Sequence, residues 1–186
     1  MNYKFDGSKV FFTSDTHFYH GNIIRFCNRP FKDVEVMNET IISNWNNTVG
    51  QDDTIFHLGD FCLGGSAEWT KILDRLNGKI YLIMGNHDLK NIRQGYIDRF
   101  EHVAMQMHIE IGKQRIYLNH YPFLCFDGGY RMCGNCSGMF TQERTTPDLT
   151  LPGFNISIRH NTMSELITTT LHPFHLNRLK ELLPNK

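Results

Sequence analysis

The sequence predicts an α/β fold of layered sheets and helices, on three observations. Short apolar runs alternate with stretches of helical period through the first half of the chain. Those runs each stop at a polar group of residues, and a strictly alternating segment then turns at a Gly-Lys pair into a hairpin. Strand, helix, strand, helix, strand is the pattern of an α/β layer architecture.

The first strand is Val10-Phe11-Phe12-Thr13-Ser14, a buried run that ends at Asp15. A loop leads to an amphipathic helix beginning near Asp33, with Met37, Ile41 and Trp45 at four-residue spacing on one face. Thr54 to Leu58 is a second strand, closed by Gly59-Asp60. Trp69, Ile72, Leu73 and Leu76 mark a second helix, and Gly78 suits its C-terminal stop. Lys79 to Met84 is a third strand, closed by Gly85-Asn86-His87-Asp88. Val103, Met105, Met107, Ile109 and Ile111 alternate with mostly polar neighbours, which predicts one half-buried strand. Gly112-Lys113 turns it into Gln114–Leu118, which stops at Asn119-His120. From Met132 to Asn161 neither period is sustained, and Leu176, Leu179, Leu182 and Leu183 are the last helical signal. We therefore divide the chain into a core, 1–131, and an atypical tail, 132–186, that is part of the same domain or disordered and leaves the C-terminal part of the fold incomplete or irregular.

The 186 residues suit one domain with a real core, and 40% hydrophobic against 20% charged is a globular balance. Lys plus Arg equals Asp plus Glu at 19 each, so charge gives no sign of a nucleic-acid or membrane partner. A small phosphorylated substrate remains compatible, since metal ions can supply the positive charge. No apolar run approaches the roughly 20 residues of a membrane helix. The polar stretch Met1 to Lys9 lacks a signal-peptide core, and the five cysteines are odd in number and scattered. The expected location is the cytoplasm. Cys133 and Cys136 form a lone C-x-x-C pair with no second pair to complete a zinc site, and we read it as incidental.

Four strand ends carry polar groups: Asp15-Thr16-His17, Gly59-Asp60, Gly85-Asn86-His87-Asp88 and Asn119-His120. Any one of them is ordinary turn or cap chemistry. Four together, at the carboxyl ends of strands, point to a site. Asp15, His17, Asp60, Asn86 and His120 offer oxygen and imidazole donors and no thiolate, which suits manganese, iron or zinc. A carboxylate such as Asp60 can bridge two divalent cations about 3.5–4 Å apart, and a shared water then becomes a hydroxide for attack on phosphorus. His87, beside a ligand, is placed to act as general acid. His20 reads either as a phosphate contact or as a solvated loop residue. Asp88 reads either as an orienter of His87 or as a helix cap.

In order and spacing, Asp15-x-His17, Gly59-Asp60-x3-Gly64, Gly85-Asn86-His87-Asp88 and His120 resemble the calcineurin-like metallophosphoesterases. Asp15-Thr16-His17-Phe18, Asn22 to Pro30 and His120-Tyr121-Pro122 resemble a small bacterial and phage branch of that family. The resemblance covers about Val10 to Arg131. It implies a sandwich of two central β-sheets flanked by helices. It also implies two metal ions, the first on Asp15, His17 and Asp60, the second on Asp60, Asn86 and His120, with His87 catalytic.

One family signature, Gly-His-x-His downstream of the His120 motif, does not occur in this chain. We expect the segment after about Arg131 to be read out of the ancestral frame. The codons of the present sequence permit Leu-Phe-Gly-His-Val-His in that other frame at positions 136 to 141, and Tyr-Asp-Val-Gly-Val-Asp at 162 to 167. The expected activity is hydrolysis of a phosphate mono- or diester by a metal-bridging hydroxide. The alternatives are an impaired or inactive remnant of that fold, lacking part of the metal site and holding one or weakly bound metals, and, well behind, a redox or zinc module on Cys133 and Cys136.

Overall fold

The computed structural model describes residues 3–93, 98–111 and 114–121, and the backbone of three later strands. The elements are β1 (Tyr3–Phe5), β2 (Val10–Thr13), α1 (Gly21–Phe26), α2 (Val34–Thr48), β3 (Thr54–His57), α3 (Ser66–Leu73), β4 (Lys79–Ile83), α4 (Leu89–Arg93), β5 (His102–Ala104), β6 (Gln106–Ile111), β7 (Gln114–Asn119), β8 (Gly134–Ser137), β9 (Asn155–Ser157) and β10 (Phe174–His175). Among the described residues these strands form two five-stranded sheets, ordered β10-β2-β3-β4-β5 and β1-β6-β7-β8-β9. The α/β sandwich expected from the sequence is the fold. No helix among the described residues is long and apolar enough to cross a membrane.

The apolar runs of β2, β3 and β4 are continuous because both faces of this sheet are covered. Phe11, Ile55, Ile80 and Leu82 face Met37, Ile41 and Trp45 of α2 and Trp69 and Ile72 of α3. Their neighbours Val10, Phe12, Phe56, Leu58 and Ile83 turn the other way, onto Met107, Ile109, Ile111, Ile116 and Leu118 of the second sheet. One set of strands therefore supports two cores, one against helices and one between sheets. Helix α2 starts where Asp33 caps it, its side chain accepting the Val36 N–H at 2.8 Å. Helix α3 ends at Leu73, earlier than its apolar spacing suggests, while Leu76 still packs on the core from the following turn.

The alternation from Val103 to Ile111 is two strands, not one. β5 pairs parallel with β4 in the first sheet, and β6 pairs antiparallel with β7 in the second. The break falls at Met105, which is 53% exposed. Val103 packs on the helical core and Met107 on the inter-sheet core. A period of two persists across the crossover because each strand separately needs one buried face.

Parallel pairing of β2, β3 and β4 puts Thr13 level with His57, and His57 level with Leu82. The loops after these strands thus leave the sheet at one edge. β7 brings His120 to that edge from the second sheet. In the tail, where the sequence shows no sustained period, β8 continues the second sheet beside β7 and β9 lies beyond it. β10 borders β2 in the first sheet. Cys133, the Gly-His-x-His slots at 138 to 141 and the leucine pattern from Leu176 lie outside the described residues.

Candidate metal centre

Loops 15–18 and 59–62 run side by side. The Asp15, His17 and Phe18 amides donate to the carbonyls of Gly59, Asp60 and Phe61 at 2.9–3.0 Å. Asp15, His17 and Asp60 all hold left-handed backbone, with φ of 54°, 53° and 56°, which is uncommon outside glycine. Gly59 has φ of 99°, and a Cβ there would come 2.5 Å from His120 Nδ1 and 2.7 Å from the Gly85 nitrogen. Gly85 is equally constrained, since a Cβ would strike the Asp60 carboxylate. These two glycines let three loops close on one point.

That point is the Asp60 carboxylate. His17 Nε2 lies 3.8 Å from Asp60 Oδ2 and 3.8 Å from Asp15 Oδ1. His120 Nε2 lies 3.8 Å from the other oxygen, Asp60 Oδ1, and 3.3 Å from Asn86 Oδ1. The five ligand candidates are therefore brought together, with Asp60 between two sets. Asp15, His17 and Asp60 form a buried group whose ligand atoms lie within 4.8 Å of one another. His87 is the more open member: its side chain is 41% exposed, with Nε2 3.9 Å from Asp60 Oδ2. Its amide is fixed, donating to Asp60 Oδ1 at 3.0 Å.

The electrostatics suit a cation. Burial pushes the Asp15 carboxyl well above the usual carboxylate range. Burial, with Arg29 nearby, drives His17 down to about 2, so its imidazole is neutral. His120 Nδ1 lies 2.8 Å from the Leu58 carbonyl, which can only accept, so Nδ1 is the donor there and Nε2 is turned to Asp60 and Asn86. Two buried carboxyl groups and two imidazoles are a donor set that a divalent ion would satisfy.

A family model described as calcineurin-like phosphoesterase matches residues 8–182. The chain belongs to the calcineurin-like phosphoesterase family. An uncharacterized protein of Methanocaldococcus jannaschii, MJ1445, is 50% identical over 82 residues, 43% of this chain and 47% of that protein. The gene 66 protein of Mycobacterium phage L5 is 30% identical over 135 residues, 63% of this chain and 65% of the phage protein. The matches thus span about half to two-thirds of these relatives. A solved structure, the protein of unknown function AQ665 from Aquifex aeolicus, shares the fold with TM-score 0.69 at 24% identity, covering 94% of this chain and 98% of its own. The family match runs past Arg131 into the tail, while the positions of the absent Gly-His-x-His lie outside the described residues.

Asp88 stands directly before α4, where its carbonyl accepts the Ile92 amide at 3.1 Å, and its side chain reaches elsewhere. Its side chain is fully buried and accepts three backbone amides, Asp60 and Phe61 at 2.8 and 2.9 Å and Gly85 at 2.9 Å. It therefore ties the Asp60 loop to the Asn86 loop, and burial raises its carboxyl despite those donors. His20 is half-buried beside His17, their Nδ1 atoms 3.3 Å apart. Burial, with His87 next, lowers the pKa of His20.

Sequence reasoning passed over His57, whose only signal was a polar residue inside an apolar strand. Thr16 Oγ1 donates to the Phe61 carbonyl at 2.8 Å, so it accepts from His57 Nε2–H at 2.9 Å. The Gly59 amide donates to His57 Nδ1 at 3.3 Å. These partners fix a neutral tautomer, and burial, with His120 nearby, holds the ring down to about 3. Unfolded His57 gains a proton below its ordinary value of 6.5, whereas the folded ring does not until about 3. Its stability contribution is thus whole above pH 6.5 and is lost as pH falls toward 3. Asp15 and Asp88, shifted upward, act in the opposite sense, so a difference measurement isolates His57. His57→Gln keeps a donor toward Thr16 and removes the titration. In urea unfolding of metal-free protein, its acid limb should be shallower than the parent's by about 1.4 kcal/mol per pH unit. Parallel limbs would show that His57 titrates normally in the folded chain.

Proposed function

We propose that this chain is a metal-dependent phosphoesterase that hydrolyses a phosphate mono- or diester of a small phosphorylated substrate. The observation that carries the reading is the Asp60 carboxylate, whose two oxygens face different imidazoles, His17 on one side and His120 on the other. That disposition fits a carboxylate shared by two cations. Asp15 and His17 would complete one set with Asp60, and Asn86 and His120 the other. Manganese, iron or zinc all match these donors. When bound, such a pair supplies Lewis acidity toward the phosphoryl group and activates water at neutral pH.

The protein's own part is positioning and proton transfer. Asp88 holds the Asp60 and Gly85 amides, so the two ligand loops keep a fixed separation. His120 keeps its ring orientation through Leu58. His87, with its amide anchored and its ring open to solvent, would give a proton to the leaving oxygen. We place the protein in the cytoplasm; Cys27 and Cys62 are free thiols, as a reducing compartment allows.

A second reading, an impaired member of the family, is favoured by the absence of Gly-His-x-His, which in this account costs each metal one imidazole. Hydrolysis of bis(p-nitrophenyl) phosphate and p-nitrophenyl phosphate in Mn²⁺, before and after chelation, tests both. Turnover abolished by chelator and restored by Mn²⁺ supports the enzyme. Metal binding with no turnover of either ester supports the impaired reading.

A further inference from the structure

The loop carrying Asp15 and His17 is left-handed at both residues and contains no glycine between them. Such backbone persists only where its surroundings over-determine it. The amides of this loop are taken up by the Gly59–Phe61 carbonyls, and the Thr16 hydroxyl by His57 and Phe61. The carbonyls on the far side go to a single group. Arg29 Nη2 donates to the Asp15 carbonyl at 2.7 Å, and Arg29 Nη1 to the Thr16 carbonyl at 2.9 Å.

Arg29 is unusual for a charged residue. It is 8% exposed, and its guanidinium also reaches Met37 Sδ, 3.5 Å from Nη1. No carboxylate among the described residues makes a salt bridge with it. A buried cation without a paired anion is costly, and its site must derive something from it. The turn after α1 delivers it: Asn28 is left-handed with φ of 47°, and the Arg29 amide donates to Ile24 at 2.8 Å. A guanidinium presents N–H groups in a rigid fork, which two successive carbonyls match and a lone ammonium does not.

We propose that Arg29 is a positioning residue of the metal centre: its two bonds hold the Asp15 and Thr16 carbonyls away from the site, and so turn the Asp15 and His17 side chains toward Asp60. The inference rests on the metal-site reading for its consequence, and on backbone geometry for its cause.

The experiment compares the full chain with Arg29→Ala and Arg29→Lys, by hydrogen exchange without metal and by Mn²⁺ titration. The Asp15 and His17 amides should lose protection in Arg29→Ala while Ile55 and Leu82 in the central strands keep theirs. Mn²⁺ affinity should fall about 10–100-fold, the usual scale for losing support behind a ligand. Millimolar guanidinium ion should restore both loop protection and Mn²⁺ affinity to Arg29→Ala, and Arg29→Lys should lie between. Unchanged loop protection in Arg29→Ala would overturn the inference. Uniform loss across loop and central strands, with no guanidinium rescue, would also overturn it, because Arg29 would then be a general stabiliser. The exchange arm needs no metal, so a parent that fails to bind Mn²⁺ would refute the metal reading while the hold on the loop is still decided.

Discussion

Asp60→Asn should abolish binding on both sides of the centre at once. The amide keeps the size of the carboxylate and can still accept the His87 amide through one oxygen. It loses the second anionic oxygen, the one 3.8 Å from His17 Nε2. Removing support behind a ligand typically costs about 10–100-fold in metal affinity, so removing a shared ligand should cost at least about 100-fold. Asp15→Asn, by contrast, should weaken only the His17 side. Mn²⁺ titration of the three proteins reads the difference. If Asp60→Asn and Asp15→Asn lose the same single ion, Asp60 is an ordinary ligand and the shared-carboxylate account fails.

His87→Ala should act on rate rather than on metal. The side chain is the open one of the cluster, and a general acid typically contributes about 10²–10⁴-fold. The loss should be large for esters with poor leaving groups and small for p-nitrophenol, which leaves without a proton. Metal content should stay at the parental level. Loss of metal in step with activity would make His87 a ligand rather than a general acid.

The three central strands were legible because β2, β3 and β4 are covered on both faces, which forces unbroken apolar runs. The ligand candidates were legible for a related reason: one polar strand end is ordinary turn chemistry, but four at the carboxyl ends of such runs are not. Three things were not. The crossover at Met105 leaves the period of two intact, so pattern alone reads β5 and β6 as one strand. Asp88 and His57 act through amides and a hydroxyl that lie far away in sequence, such as Asp60 for Asp88 and Thr16 for His57. Arg29 binds backbone carbonyls, which every residue possesses, so no pairing signal exists in the sequence. In the tail, short strands beside β7 and β2 follow from backbone pairing, which the irregular side-chain pattern of 132–161 does not advertise.

A tail read out of its ancestral frame would leave its mark in the codons. The coding sequence should carry synonymous choices that spell Gly-His-x-His in the other frame at positions 138 to 141. Choices that forbid it would leave a naturally divergent tail.

The central claim is that Asp60 is shared between two metal sites. Anomalous diffraction from a crystal soaked in Mn²⁺ or Zn²⁺ tests it most directly. The account predicts anomalous peaks at the Asp60 carboxylate, the stronger among Asp15, His17 and Asp60, the other beside Asn86 and His120. A soaked crystal with a single peak at Asp60, with none there, or with metal held only elsewhere on the chain, would contradict it.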